Sequence, residues 1–279
     1  MTTKNIGIIG NGFVGNAIYE GLKDFYNLVV YDIDKNRSYN TFEEVDRLEH
    51  IFICVPTPMT NLGVFDLTIL CNSIRDLSYG KILIIKSTIT PAAARILIQD
   101  FPQHDFVFNP EFLTERTAVQ DFKNQKRIVL GGDAVPASKI KNIYTRVFPT
   151  CEYILTDYKT ACFIKYFCNC FFAAKVSLMN EFHQVADSEG VDWDTAIRGL
   201  LSSGWVNPMH TLVPGTDGDF GFGGKCFPKD VNAFMNYAKT VDVEPKVLSA
   251  AWEKNLEVRK NLNWLKIDGA VTDSDKKGD

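Results

Sequence analysis

Two groups of residues carry the types and spacing needed for covalent chemistry. The first is the stretch Gly221-Phe222-Gly223-Gly224-Lys225-Cys226-Phe227-Pro228-Lys229-Asp230. The Cys226 thiol is a nucleophile, Asp230 can orient or deprotonate water, and glycine backbone lets a ligand approach closely. Pro228 suits the first turn of a helix. A helix starting there would put Cys226 just before its positive end, where a thiolate is stabilised, and Asp230 in the first turn. The alternative is a buried structural cysteine behind a glycine-rich loop. The second group is Lys165 and Asn169, one helical turn apart in a run that is otherwise apolar. Burying such a pair without partners is costly, so it reads either as a site pair or as a lysine whose packed stem carries its charge to water.

These side chains need elements to hold them, and the first element is a nucleotide-binding unit. Asn5-Ile6-Gly7-Ile8-Ile9 reads as a strand, and Gly10-Asn11-Gly12-Phe13-Val14-Gly15 follows it. Ala17, Ile18 and Leu22 then begin a helical pattern, and a second strand, Leu28 to Tyr31, ends at Asp32. Glycines at this spacing allow a tight turn and close approach of a pyrophosphate, whose charge meets the helix N-terminus. Asp32 can accept hydrogen bonds from the adenosine ribose and would repel a 2′-phosphate, so the fingerprint predicts NAD rather than NADP. Lys35, just beyond it, is a further expected cofactor contact. Apolar runs continue at Ile51 to Val55, Ile82 to Ile85, Phe106 to Phe108 and Arg127 to Leu130. Their alternation with helical patterns predicts an α/β fold: a doubly wound, Rossmann-like, mostly parallel sheet over residues 1–155. Ligands then gather at the carboxyl ends of the strands. There the sequence places Val55, Pro56, Thr57, Ser87, Thr88, Glu111 and Glu115.

Beyond about residue 155 the strand patterns stop, predicting an all-helical domain over 156–267. Its long central helix, from about Thr156 to Gly190, would measure roughly 50 Å. That helix is apolar nearly all round, which predicts a domain core and a homodimer interface. A short helix over Asp192 to Leu201, a long loop from Ser202 to Lys225, and helices over Pro228 to Ala238 and Glu244 to Ile267 follow. Residues 268–279, small, polar and charged, read as a disordered tail.

Composition narrows the function classes. Of 279 residues, 46% are hydrophobic and 23% charged, and the net charge of -4 argues against a nucleic-acid partner. The seven cysteines have no metal-type spacing, and the four histidines do not cluster, so no metal site and reduced thiols are expected. The chain opens directly into a strand-like segment and no uninterrupted apolar run reaches spanning length, so the expectation is a cytoplasmic protein without membrane contact.

Taken together, the segments Gly10 to Gly15, Ile53 to Pro58, Lys86-Ser87-Thr88, Asn109 to Glu115, Lys165 to Asn169, Asn180-Glu181 and Gly221 to Asp230 resemble the nucleotide-sugar dehydrogenases of the UDP-glucose 6-dehydrogenase type. The resemblance implies oxidation of a sugar C6 alcohol to a carboxylate by two hydride transfers to NAD. It implies Cys226 as the nucleophile forming a thiohemiacetal and then a thioester. Lys165 and Asn169 would hold the oxyanion, Asp230 and Glu115 would serve hydrolysis, and Thr88 would lie between cofactor and reacting carbon. By the same resemblance, Glu111, Phe112, Leu113, Lys165, Asn169, Phe220, Gly221, Gly223 and Gly224 would line the nucleotide-sugar site. Asn11, Phe13, Val14 and Glu115 would join the glycines around NAD. The sequence departs from the family pattern in two ways: no third doubly wound domain follows the helices, and Asn207-Pro208-Met209-His210 lacks the arginine that many members offer a neighbouring subunit. Two other readings compete, a two-electron hydroxy-acid dehydrogenase and a non-catalytic NAD-binding remnant. Neither has a use for Cys226 four residues ahead of Asp230.

Overall fold

A computed structural model describes residues 5–60 and 63–272. Contact density divides the chain into one unit of Met1–Thr57 with Asp66–Lys165 and a second of Pro58–Phe65 with Tyr166–Asp279. The division therefore falls inside a helix, ten residues beyond the boundary read from the sequence, and the short segment after Thr57 belongs with the second unit.

The first unit is built on β1 (Asn5–Ile9), α1 (Phe13–Leu22), β2 (Asn27–Tyr31), α2 (Phe42–Asp46), β3 (His50–Ile53), α3 (Thr68–Arg75), β4 (Ile82–Ile85), α4 (Pro91–Asp100), β5 (Asp105–Phe108), α5 (Ala118–Lys123), β6 (Arg127–Gly132), α6 (Ala134–Val147) and β7 (Glu152–Thr156). The strands form one sheet in the order β2-β1-β3-β4-β5-β6-β7. Every pair is parallel except β5 with β6. The central strands are unbroken apolar runs because both faces are covered. Ile6, Ile8, Phe52 and Ile84 pack on one side with Ile18, Leu22 and Tyr144. Ile51, Ile53, Leu83 and Ile85 pack on the other with Leu70, Ile74 and Leu97. The doubly wound expectation holds. Strand β7 is an addition to it: it is a half-exposed edge strand whose apolar residues, Tyr153-Ile154-Leu155, stand between Glu152 and Thr156. The chain reverses direction around β1, with β2 on one side and β3 on the other, which opens a crevice at the carboxyl end of β1.

Helix α7 (Tyr158–Glu189) starts in the first unit and continues through the second. Asp157 caps it, accepting from the amides of Lys159 and Thr160. It ends at Gly190, at φ 68°, with the Val191 amide bonded to the Ala186 carbonyl. By length and composition α7 could cross a membrane, although half of its most apolar window is buried within the protein. Lys165 and Asn169 interrupt the apolar run from Ala161 to Ala174, and beyond Lys175 polar residues become frequent.

In the second unit α7 is followed by α8 (Trp193–Ser202), α9 (Cys226–Thr240) and α10 (Lys246–Val258). Cys170, Ala173 and Val176 pack with Phe222, Val231, Leu248 and Trp252. Two boundaries differ from the sequence reading. Helix α9 begins at Cys226, so Pro228 is its third residue. Helix α10 stops at Val258 because Arg259 and Asn263 turn away to bind the loop ahead of α9. The expected disorder does not hold for the first residues of 268–279. Ala270 and Val271 are buried beside Met59 and Trp264, and the Met59 backbone bonds to Ala270 and Thr272. Residues 273–279 lie outside the described residues.

Candidate functional site

In the first unit the glycine turn has the form a dinucleotide requires. Gly10 sits at φ 91°, where a side chain would strain the backbone. A Cβ on Gly15 would lie 1.9 Å from the Gly10 carbonyl oxygen, so this glycine lets α1 pack on β1. A Cβ on Gly12 would meet nothing within 4 Å. The turn therefore needs its first and third glycines for itself and leaves open space at the second. Gly12 caps α1 without a side-chain bond, and no acidic residue stands in the first turn. These amides are thus available to an anion. Asp32 braces the turn: one carboxylate oxygen accepts from the Asn11 amide at 2.6 Å and the other from the Asp34 amide at 2.8 Å. Phe13 and Val14 are partly buried and pack against the core beneath α1. Lys35 is exposed in the turn beyond β2. The cradle fits NAD on all of these counts.

The ends of β3 and β4 are tied to each other. The Ser87 hydroxyl donates to the Val55 carbonyl at 2.6 Å, and Thr57 donates to the Thr88 carbonyl at 2.9 Å. This fixes Pro56 and the half-buried Thr88 at the carboxyl edge of the sheet. After β5, Asn109 donates to the Val129 carbonyl. Its Oδ1 accepts both from Tyr144 at 2.6 Å and from Lys86 at 3.1 Å. Glu111, buried, accepts from Lys165 Nζ on its carboxylate at 2.8 Å and on its carbonyl at 2.6 Å. Its other carboxylate oxygen accepts from the Leu113 amide at 2.6 Å. Burial pushes the Glu111 carboxyl up, but the Lys165 charge and these bonds outweigh it and hold the group below its usual value. Burial lowers the Lys86 pKa to about 8, against the pull of Cys54 and Glu111. The Phe112 ring has Arg127 over it at 4.4 Å and Lys165 at 5.6 Å. Glu115 is exposed in a short 3-10 turn.

In the second unit Cys226 is the half-buried first residue of α9, at the helix's positive end. Asp230 follows one turn later on the same face, 1% exposed. Its Oδ2 accepts from Asn169 Nδ2 at 2.6 Å and its Oδ1 from Lys229 Nζ at 2.5 Å. Lys229 also lies 4.9 Å from the Phe65 ring centroid. The polar pair on α7 is thus a pair of clamped groups rather than a snorkelling lysine: Lys165 is bound by Glu111, and Asn169 by Asp230. Phe220 lies edge-on to His183. The glycines ahead of Cys226 differ from the reading given above. A Cβ on Gly221 would fall 2.4 Å from Asn255 Oδ1, and one on Gly223 would fall 2.3 Å from Arg259 Nη2. Those two spaces are filled by the protein itself. Gly224, at φ 73°, has nothing within 4 Å of its missing side chain, so it is the glycine with room for a ligand.

Asn109, Lys86, Lys229, Asn180, Asn255, Asn263 and Arg259 were not assigned roles from sequence. Asn255 and Arg259 had a signal, since they continue the stripe of Leu248 and Trp252 along α10, polar residues in apolar positions as Lys165 is on α7. Among the described residues no group of three or more His, Cys, Asp or Glu could hold a metal ion.

Comparison with known proteins divides the chain between residues 148 and 159, where the sequence also placed the boundary. Residues 36–148 match the NAD binding domain of the UDP-glucose/GDP-mannose dehydrogenase family, and residues 159–257 match its central domain. The UDP-glucose 6-dehydrogenase of Rickettsia bellii is 32% identical over 272 residues, covering 94% of this chain and 61% of its own length. The chain therefore spans about three-fifths of that relative. Among solved structures, a UDP-glucose dehydrogenase from Pyrobaculum islandicum superposes with a TM-score of 0.81 at 24% identity, over 91% of this chain and 68% of that one. A UDP-D-ManNAc dehydrogenase from Pyrococcus horikoshii gives 0.77 at 22%, over the same shares. At these identities the likeness is one of fold.

Proposed function

The chain belongs to the UDP-glucose/GDP-mannose dehydrogenase family, with NAD as its cofactor, and from that premise we propose that it oxidises the C6 alcohol of a nucleotide sugar, UDP-glucose foremost, to the carboxylate. The observation that carries this reading is the pairing of Cys226 at the start of α9 with Asp230 one turn on, itself clamped by Asn169 and Lys229. A dehydrogenase that stops at the aldehyde has no need of a thiol there.

NAD supplies a hydride acceptor, used twice. The protein's residues do the rest. The alcohol first loses a hydride and a proton to become the aldehyde. The Cys226 thiolate adds to the aldehyde carbon, forming a carbon–sulfur bond and an oxyanion. Lys165 and Asn169 are the donors that stabilise charge on that oxygen. Loss of the second hydride leaves a thioester. Water, losing its proton to Asp230 or Glu115, adds to the carbonyl carbon, and the carbon–sulfur bond breaks to release the acid and the thiolate. One alcohol, one water and two NAD⁺ give one carboxylate, two NADH and three protons. Glu111 sets the charge and position of Lys165. In this reading Thr88 would serve the cofactor, Phe112 and Leu113 are the sugar contacts offered by the first unit, and Phe220 and Gly224 those offered by the second.

The protein works as a homodimer. Phe171, Leu178, Phe182 and Val185 are exposed along one side of α7 at spacings of seven, four and three residues. A groove of about 910 Å³ beside them is lined by Trp193, Ile197 and Val247. An apolar stripe and groove of this extent mark an interface. Light scattering at micromolar concentration should give twice the mass of the chain, and a fully active monomer would refute this. Seven free cysteines, one of them the nucleophile, suit a reducing compartment, so we place the protein in the cytoplasm.

The decisive experiment counts NADH per sugar with a panel of nucleotide sugars. The expected result is two in the parent, with acid formation lost in Cys226→Ser. One NADH per substrate with normal turnover in Cys226→Ser would favour a simple hydroxy-acid dehydrogenase. No turnover with any sugar would favour a binding remnant.

A further inference from the structure

The segment Gly221–Gly224 is gripped by side chains from three other parts of the second unit. The Gly221 amide donates to Asn180 Oδ1 on α7 at 3.1 Å. The Phe222 amide donates to Asn255 Oδ1 on α10 at 2.6 Å, and Asn255 Nδ2 donates back to the Phe222 carbonyl at 3.0 Å. The Gly224 amide donates to Asn263 Oδ1 at 2.9 Å. Asn180 is further held by its own donation to the Val176 carbonyl at 2.8 Å. Asn255 is fully buried and Asn180 nearly so. Asn255 thus gives Phe222 both of the bonds that a neighbouring strand would give, in a segment with no strand beside it. Arg259, 3% exposed, closes the arrangement by binding Asp217 at 2.8 Å and the Asn261 carbonyl at 2.8 Å.

A segment that is merely packed would satisfy its amides from the nearest carbonyls. Here three asparagines from separate elements fix consecutive peptide planes of four residues, ending two residues before Cys226. Their close approach is also what forces glycine at 221 and 223. What remains open is Gly224. We propose that Asn180, Asn255 and Asn263 are positioning residues for the chemistry of Cys226, holding the segment so that the open face at Gly224 and the thiol keep one fixed geometry. The inference rests on the reading of Cys226 as nucleophile. Displacing a reacting group by about 1 Å costs on the order of a hundredfold in rate, so the bracket acts through the thiol without touching the reacting atoms.

Asn263 is half-buried at the start of a short 3-10 turn, Asn263–Leu265, beyond α10, so it can be changed without dismantling the core. Asn263→Ala removes the acceptor of the Gly224 amide, and Asn263→Asp keeps one. The expected result for Asn263→Ala is a kcat for acid formation ten- to a hundredfold below the parent, with KM for NAD unchanged and melting within a few degrees. Asn263→Asp should recover most of the rate. Independently of turnover, alkylation of Cys226 by iodoacetamide, followed by peptide mass across pH, should change at least threefold in Asn263→Ala and return in Asn263→Asp. Asn255→Ala should show the same kinetic change with a larger loss of melting temperature. Parental kcat and parental alkylation in Asn263→Ala would overturn the inference, as would equal losses in the Ala and Asp variants. Cys226→Ser separates the two levels. If it still makes acid, the nucleophile reading falls and takes the inference with it. If it is inactive while Asn263→Ala is parental, the inference falls alone.

Discussion

Lys86 offers a prediction whose sign reverses with pH. The side chain is 4% exposed and donates to Asn109 Oδ1 at 3.1 Å, an oxygen to which Tyr144 also donates at 2.6 Å. Its pKa falls from 10.5 to about 8, chiefly through burial. The unfolded chain therefore keeps a proton on Lys86 up to about pH 10.5, and the folded protein only up to about 8. Between those values the unfolded state binds more protons, so stability rises with pH across that window. Below pH 8 the charged amine costs the folded state about 3 kcal/mol. Lys86→Met keeps the length and removes the charge. It also removes one hydrogen bond to Asn109, worth about 1 kcal/mol, while Tyr144 still satisfies the oxygen. The variant should therefore be about 2 kcal/mol more stable than the parent at pH 7, raising the melting transition of the first unit by roughly 4–8 °C. Above pH 10.5 only the lost hydrogen bond remains, and the variant should be the less stable by about 1 kcal/mol. Calorimetry on both proteins from pH 7 to 11 reads the difference directly. A variant less stable at pH 7, or a difference constant with pH, would refute the reasoning. A stabilising change at a residue beside the Glu111–Lys165 pair would also mark a place where stability has been given up for a charge.

Three further outcomes follow from the geometry. Gly12→Ala should leave melting unchanged yet weaken NAD at least tenfold by fluorescence titration, whereas Gly15→Ala, with its Cβ 1.9 Å from a backbone oxygen, should lower melting and binding together. Asp230→Asn should slow hydrolysis by about 10²- to 10³-fold, so that an acylated Cys226 accumulates as added mass on the intact protein; parental acid formation without that mass would remove Asp230 from the reaction. Because Asp32 already directs both carboxylate oxygens at the glycine turn and its flank, calorimetry should show clear preference for NAD⁺ over NADP⁺, with Asp32→Asn narrowing it.

Much of the architecture was legible because its signals are local. The glycine spacing, the strand before it and the acid after it all lie within one βαβ unit, and α7 announces itself through the absence of breakers and its apolar surface. Lys165 and Asn169 stood out as polar residues in apolar company. What could not be read was the partner of each, since Glu111 is 54 residues from Lys165 and Asp230 is 61 from Asn169. Strand β7 escapes the sequence reading because its short apolar run, Tyr153-Ile154-Leu155, falls at the boundary where the helical pattern takes over. Gly221 and Gly223 read as room for a ligand, because a sequence shows that a side chain is missing but not what fills its place. Lys86 looked like a polar end to a strand, and only its burial gives it a meaning.

The crowding at Gly221 and Gly223 makes this segment a poor module. Its composition is dictated by residues 34 and 36 positions further along the chain, Asn255 and Arg259, whose side chains occupy the space where two Cβ atoms would be. Transplanting Gly221 to Asp230 alone into another helical scaffold would carry over the cysteine, the aspartate and the glycines while leaving the mould behind. The graft would be a loose polyglycine hinge instead of a shelf. Shortening Asn255 alone would not release position 221 either, because its backbone at φ 66° still favours glycine and Val258 and Arg259 still stand beside it.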